Sequence, residues 1–274
     1  MHPKPVFRLL WLVPVLLAML IHFAVTPAKG ELPPGNCADT LGQVQASLGA
    51  PLSASLEVLS WNIQKASNDG WAEDLANFGA GVDLAFIQEA SLQALIPDAM
   101  GTDLHKVFAP GYSSGSRDTG VMTLSAGQPS TDCKLTAMEP WLRTPKATSI
   151  VEYPLADRDD RLLAINVHSV NFDLGMSSFQ SQLEALRKVL ARHQGPVIFA
   201  GDFNTWSASR QAAVDDFMSE HGLGSIAFEP DLRSRAFGRA LDHIYVRGMQ
   251  AEFAQVIPVT TSDHNPLRVR LAIQ

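Results

Sequence analysis

Downstream of about residue 55, two kinds of hydrophobic pattern alternate along the chain. One is a short run with large apolar side chains on both parities, such as Leu56-Glu57-Val58-Leu59-Ser60-Trp61. Such a run reads as a strand covered on both faces. Runs of this kind occupy 56–64, 83–89, 120–125, 147–153, 161–170, 196–202, 241–247, 253–258 and 267–273. The other kind places apolar residues three or four positions apart. In 177–193, Phe179, Leu183, Leu186 and Leu190 share one helical face, with charges between them and Gly195 as the stop. Val214, Phe217 and Met218 mark a second helix over 207–221, and 71–78 is a weaker third. Two sheets packed on one another, with helices outside, satisfy this pattern.

The residues ahead of this region read differently. His2-Pro3-Lys4 through Arg8 form a short basic start, and 9–25 is almost wholly apolar, broken by Pro14 and His22. That length falls between a signal-peptide core and a full membrane span. Thr26-Pro27-Ala28 offers a mediocre cleavage site, so 1–28 reads as a signal peptide or membrane anchor, leaning to the anchor. Either way the domain that follows is expected to be exported, anchored at a bacterial inner membrane facing the periplasm or released into the periplasm. Residues 29–54 carry Pro33, Pro34, Gly35, Gly42, Gly49 and Pro51 and read as a linker. The remainder, 55–274, is expected to be one catalytic domain and a monomer. The chain's two cysteines, Cys37 and Cys133, can join linker to domain in an oxidising compartment and do not read as a zinc site.

A formal net charge of −7 excludes a broad basic surface of the kind that coats nucleic acid. It leaves room for a nuclease, since a few arginines and a metal can offset phosphate charge inside a cleft. No internal repeat and no Gly-rich phosphate loop is present.

The chemistry-bearing residues sit at the ends of the apolar runs. Gly201-Asp202-Phe203-Asn204 follows Val197-Ile198-Phe199-Ala200, and Thr261-Ser262-Asp263-His264-Asn265-Pro266 follows Val256-Ile257-Pro258-Val259. Strand ends are where α/β proteins build their sites. Asp and Asn oxygens suit a hard divalent cation, and a His beside an Asp suits proton transfer, so metal-assisted hydrolysis of a phosphate ester is expected. Glu89 ends a strand-like run and is the best primary metal ligand. Asn62 lies on the face opposite Trp61 and Ile63, where its amide could orient Glu89 or touch the metal. An all-oxygen set favours Mg²⁺ or Mn²⁺ over Zn²⁺. Asp202 and Asn204, two apart in an extended segment, project to one face; they also suit a turn or helix cap ahead of Ser207. His264 is the candidate general base or electrostatic partner, and Asp242 the carboxylate that orients it. His243 follows Asp242 on the opposite strand face and should point away from the cleft.

Taken in order, Ser60-Trp61-Asn62-Ile63-Gln64, Ile87-Gln88-Glu89, Thr119-Gly120-Val121-Met122, Asn166-Val167-His168-Ser169-Val170-Asn171, Gly201-Asp202-Phe203-Asn204, Leu241-Asp242-His243 and Ser262-Asp263-His264 form a set. This set resembles the endonuclease/exonuclease/phosphatase superfamily, which includes deoxyribonuclease I, abasic-site endonucleases, inositol-phosphate phosphatases and bacterial sphingomyelinases. The match spans nearly all of 56–274. Segments 169–174, 195–207, 235–239 and 262–267 look like the YafD-like bacterial subgroup. The resemblance implies an α+β fold, a four-layer αββα sandwich of two packed mixed sheets, and a divalent metal. It pairs Asp242 with His264 and turns Asp263 to the metal side. It also makes His168 and Asn171 candidates, the imidazole as leaving-group acid or phosphate ligand. Gln64 departs from the acidic residue many relatives carry, which weakens a second metal site.

Arg233, Arg235 and Arg239, just before Asp242, are candidates for contacts to substrate phosphate, with Arg117 a lesser one; a solvated loop is the alternative. The expected activity is a phosphodiesterase acting on a phosphoester substrate, nucleic acid first. A phospholipid or small phosphate ester is the alternative, and a non-catalytic binding module the second. No exposed apolar stretch or hydrophobic hairpin at the cleft is evident in the sequence to favour a lipid.

Overall fold

The computed structural model describes Asp39 and residues 41–42, 49–101, 103–173 and 175–274. The proposed signal or anchor, 1–28, and Cys37 lie outside these residues. Among the described residues no helix is long and apolar enough to cross a membrane.

Among the described residues fourteen strands form two six-stranded sheets and one small hairpin. They are β1 Ser55–Asn62, β2 Leu84–Ser91, β3 His105–Ser114, β4 Arg117–Ser125, β5 Thr131–Met138, β6 Pro145–Pro154 and β7 Arg161–His168. Then come β8 Val197–Asp202, β9 Gly224–Ser225, β10 Arg235–Ala236, β11 Arg239–Ala240, β12 Asp242–Arg247, β13 Met249–Val256 and β14 Leu267–Ile273. The first sheet runs β13-β14-β1-β2-β4-β3 and the second β5-β6-β7-β8-β12-β9, while β10 and β11 pair with each other. Each sheet is antiparallel except for one central parallel pair, β1 with β2 and β7 with β8.

Three apolar layers explain why the strands are apolar on both parities. Leu56, Val58, Leu84 and Phe86 of the first sheet meet Val151, Tyr153, Leu162, Ile198 and Ile244 of the second between the sheets. Outside the second sheet, Ile165 and Phe199 pack on Phe179, Leu183, Leu186 and Leu190 of helix Ser177–Arg192 and on Val214 and Phe217 of helix Ala208–Glu220. Outside the first, Leu59, Trp61 and Ile87 pack on Leu75 of helix Trp71–Gly79 and Ile96 of the short helix Ile96–Ala99. This is the αββα sandwich. A polar seam crosses the inter-sheet layer, where Gln88 Nε2 donates to Asn166 Oδ1 at 2.8 Å and Asn166 Nδ2 to the Met122 carbonyl at 3.0 Å. Such buried networks fix the register of the sheets they join.

The sequence pattern misses β3 and β5, both edge strands. Pro110 and Gly111 interrupt β3, whose pairing slips between Pro110 and Ser113. In β5 half-buried residues alternate with exposed ones, so its apolar signal is weak. The expected strand 56–64 stops at Asn62, because Gln64, Lys65 and Ala66 all take positive φ in a tight 3₁₀ turn. The domain also begins before residue 55. Leu52 is buried in the central core and bridges Leu155, so the end of the expected linker packs as part of the domain. Cys133 is disulfide-bonded.

Candidate active site

The central parallel pairs of both sheets end at one place. Asn62 closes β1 and Glu89 lies near the end of β2, while His168 and Asp202 close β7 and β8 opposite each other in register. Antiparallel pairing then sets Asp242, the first residue of β12, beside Asp202. His264 arrives on the loop between β13 and β14, which the first sheet holds. Trp61 Nε1 donates to the His264 carbonyl at 2.9 Å and Ser262 Oγ to the Asn62 carbonyl at 2.7 Å. Asn62, Glu89, His168, Asp202 and His264, with Asn171, Asn204 and Asp263, line a cleft of about 530 Å³, and Asp242 stands behind His264. Open sheets present ligand sites at the carboxyl ends of their parallel strands, where loops diverge.

Two left-handed residues mark the floor. Glu89 takes φ 48° where the pairing of β2 with β4 slips, and Asn204 takes φ 51°. Non-glycine residues in this region carry strain that the surrounding structure must hold, a common trait of functional sites. Asn204 therefore reaches the cleft through a turn rather than the expected extended segment. Its backbone N–H donates to Asp202 Oδ1 at 3.0 Å and its Nδ2 to the Ser169 carbonyl at 3.1 Å. Gly201 precedes the turn at φ 142°, and a Cβ there would lie 2.1 Å from the Val167 carbonyl oxygen.

The charges divide into two groups. His264 Nδ1 sits 2.7 Å from Asp242 Oδ2, and its Nε2 is 4.0 Å from Asp202 Oδ2. Burial alone would lower the His264 pKa, but Asp242 and Asp202 together outweigh it and raise it to about 10. Burial raises Asp202 to about 6 despite the opposing pull of His264. On the other side His168 Nε2 faces Asp202 Oδ2 at 3.6 Å and Glu89 Oε1 at 3.9 Å. Lys146 Nζ lies 3.0 Å from the same nitrogen. Burial first, then Lys146, holds the His168 pKa well below the usual range. An ammonium can only donate, so His168 Nε2 accepts and the ring is neutral. That geometry opposes the expectation of His168 as a leaving-group acid; the cation at this position is Lys146. Asn62 Nδ2 donates to Asp202 Oδ2 at 3.1 Å, and Lys65 Nζ meets Glu89 Oε2 at 2.5 Å.

Sequence reasoning misses Lys146, Lys65 and Glu139. Glu139 is almost fully buried, 3.7 Å from Lys146, and its Oε1 accepts from the backbone N–H groups of Asn171 and Phe172 at 2.8 and 3.3 Å. None of the three belongs to a patterned segment, so no local signal marks them. His243 lies off the cleft, with Nε2 2.8 Å from Thr205 Oγ1 and Nδ1 3.0 Å from Arg233 Nη1. Burial and then Arg233 lower its pKa to about 3.

The arginine candidates are a correction. Arg233 and Arg235 are tied to Asp231 at 2.8 and 2.5 Å, which with burial opposing holds that carboxyl at about 2. With Arg239 and His243 they line a separate pocket of about 300 Å³. The physical reason is alternation along β12: Asp242 points to His264 on the cleft side, so the segment that meets His243 faces elsewhere. Arg117 sits exposed at the start of β4, outside the cleft lining. The cleft's neighbour is instead apolar. Trp141, Leu142, Phe172 and Phe237, all more than half exposed, border a groove that opens from it. They come from three separate segments, Trp141-Leu142, Phe172 and Phe237, so no single run in the sequence reveals the patch.

The profile of the Endonuclease/Exonuclease/phosphatase family matches residues 59–264. Among solved structures, an endonuclease/exonuclease/phosphatase from Beutenbergia cavernae superimposes with TM-score 0.63 at 15% identity, covering 80% of this chain and 72% of that one. The human Nocturnin catalytic domain, solved with a bound sulfate anion, gives 0.61 at 16% identity, covering 82% and 97%. A Bacteroides vulgatus member gives 0.62 at 13% identity, covering 80% and 99%. At such identities the likeness speaks for the fold. By the profile match, the chain belongs to the endonuclease/exonuclease/phosphatase family.

Proposed function

We propose that this chain hydrolyses phosphodiester bonds with the help of one divalent cation, Mg²⁺ or Mn²⁺. The observation that carries the reading is the convergence, at the carboxyl ends of both sheets, of the Asp242–His264 pair, Asp202, and the oxygens of Glu89 and Asn62. The donor chemistry fits a hard cation, since Glu89, Asn62 and Asp263 offer oxygen only. Asp202, Asp242 and His264 also approach within 4.8 Å of one another. His264 Nδ1 is already engaged by Asp242, however, and we read the pair as the group that transfers a proton. A bound cation would polarise a phosphoryl oxygen and offset its charge.

The chain's own groups supply the rest. Asp202, held by Asn62 on one oxygen and by the Asn204 N–H on the other, orients the attacking water and accepts its proton. Its raised pKa makes it a better base near neutrality. His264, kept as imidazolium by Asp242, presents Nε2 to the phosphoryl group as the negative charge builds. Asn171 and Asn204 border the phosphate position, and Lys146 offsets charge beside neutral His168. Hydrolysis forms the bond from water oxygen to phosphorus and breaks one ester P–O bond; the leaving oxygen takes its proton from His264 Nε2, and Asp202, 4.0 Å away, returns the proton it took from water to His264. None of the arginines lines the cleft, so the reading of this site stops at a phosphodiester.

The test is a phosphodiester panel assayed with Mg²⁺, Mn²⁺ and excess chelator, alongside Glu89→Gln. Turnover should vanish in chelator, return with either ion, and demand a higher metal concentration in the variant. Full turnover in chelator would overturn the metal-assisted reading.

A further inference from the structure

The groove beside the cleft encloses about 600 Å³ and shares Leu142, Asn171, Phe172, Asn204 and Leu241 with it. A substrate whose phosphate enters the cleft can therefore lay an adjoining part along this groove. Its walls are built before any ligand arrives. Trp206 donates Nε1 to Asn171 Oδ1 at 3.0 Å, and the buried Arg210 guanidinium lies 4.6 Å below its ring. Phe237, 89% exposed at the tip of the β10–β11 hairpin, packs edge-on against Trp206 with centroids 6.1 Å apart. Glu139 anchors the Phe172 backbone, and the turn closed by Glu139 N–H on the Thr144 carbonyl presents Trp141 and Leu142. Walls held in place in this way lower the ordering cost of binding.

Charge decides what fits. Among the described residues no lysine or arginine lines the groove, and the one charged residue is Asp173, whose carboxylate caps Gly175 and Ser178. Sites for single-stranded nucleic acid combine stacking aromatics with a basic track for the backbone. Here the aromatics are present and the track is missing. Solvent-facing aromatic and leucine side chains around a phosphate site suit a hydrocarbon chain instead.

Resting on the phosphodiesterase reading above, we propose that the substrate is an amphiphilic phosphodiester, with its phosphate in the cleft and its hydrocarbon chain in the groove between Trp141, Phe172, Trp206 and Phe237. Hydrolysis of such an ester adds water across one P–O bond and leaves an alcohol and a phosphomonoester.

The test uses the full chain with p-nitrophenyl alkyl phosphates of methyl, butyl and octyl length, below micellar concentration, and p-nitrophenyl thymidine 5′-phosphate. From methyl to octyl, kcat/KM should rise by at least about tenfold, the gain expected if only about two of the added methylenes are buried at roughly threefold each. The octyl-to-methyl ratio should fall toward one in Phe172→Ser/Phe237→Ser and persist in Phe253→Ser, a distant edge-strand control. A second readout avoids hydrolysis: decanesulfonate should shift tryptophan emission saturably in the wild type and not in the double variant, while methanesulfonate has no effect. Hydrolysis with no dependence on chain length, or no saturable decanesulfonate binding, overturns the groove assignment. A gain for the thymidyl ester that the double variant loses, with a flat alkyl series, replaces hydrocarbon by a nucleobase. Saturable decanesulfonate binding without turnover of any ester supports the groove and removes the phosphodiesterase reading beneath it.

Discussion

Replacing Asp242 by Asn removes a charge from the His264 pair while leaving an oxygen able to accept from Nδ1. The structure sets the size of the effect. The two groups bond at 2.7 Å, which puts their charge centres about 4 Å apart. At an effective dielectric of about 20 their attraction is on the order of 4 kcal/mol. That corresponds to about three pH units, so in metal-free protein the His264 midpoint should drop from about 10 to roughly 7. Side-chain ¹⁵N-edited NMR over a pH series reads this directly.

The same coupling gives stability a definite pH dependence. The folded pKa of His264 lies above its unfolded value of 6.5, so its stabilising contribution is complete below 6.5 and fades as pH rises through about 10. The variant has a smaller contribution to lose. It should therefore unfold more easily than wild type at pH 6, by on the order of 3 kcal/mol, and the gap should close toward pH 10. Urea melts at both ends of the range check it. In turnover the variant should lose about 10²-fold in kcat. An unmoved His264 midpoint, or a stability gap constant with pH, would refute the idea that Asp242 holds the imidazolium.

Three further outcomes follow from the same geometry. His243→Ala should cost about 1–3 kcal/mol by removing the ring's bonds to Thr205 and Arg233 yet leave kcat within a few-fold, whereas His264→Ala should lower kcat by about 10²-fold; equal kcat losses in folded protein would contradict the two-face arrangement of β12. Gly201→Ala, whose Cβ would meet the Val167 carbonyl at 2.1 Å, should destabilise by about 3 kcal/mol, and a melting temperature within a degree or two of wild type would show that the turn relaxes. A reporter fused after Gln274 should be active only if it works outside the cytoplasm, because residues 1–28 are proposed to carry the domain across the inner membrane; cytoplasmic reporter activity would reverse that topology.

Which features were legible in the sequence follows from how far each signal reaches along the chain. Core strands announce themselves because both faces are buried, as in β1 and β8. Edge strands β3 and β5 touch the core less and carry half the signal. Asn62, Glu89, Asp202, Asp242 and His264 stand at strand ends or in short motifs, so order along the chain sufficed to group them. Lys146 and Glu139 act across sheets, from positions with no motif, and only folding brings them to His168 and Asn171. The arginine reading failed for the complementary reason. Closeness to Asp242 along the chain says nothing about side when the intervening residues form a hairpin, and Asp231 claims the guanidinium groups first.

That failure bears on the chemistry. A polyanion crossing this cleft would meet Lys65 already paired with Glu89 and Lys146 flanked by Glu139, with Arg233 and Arg235 held elsewhere. A single phosphate needs little more than a divalent cation and the imidazolium of His264 to offset its charge. What surrounds that phosphate is apolar on the side of Trp141, Phe172 and Phe237, and apolar walls discriminate by the area they cover rather than by charge. The specificity of this site should accordingly depend on chain length and respond weakly to salt. A nuclease built on the same fold would show the opposite dependence on both. KM measured against chain length and against ionic strength, on one set of esters, separates the two designs.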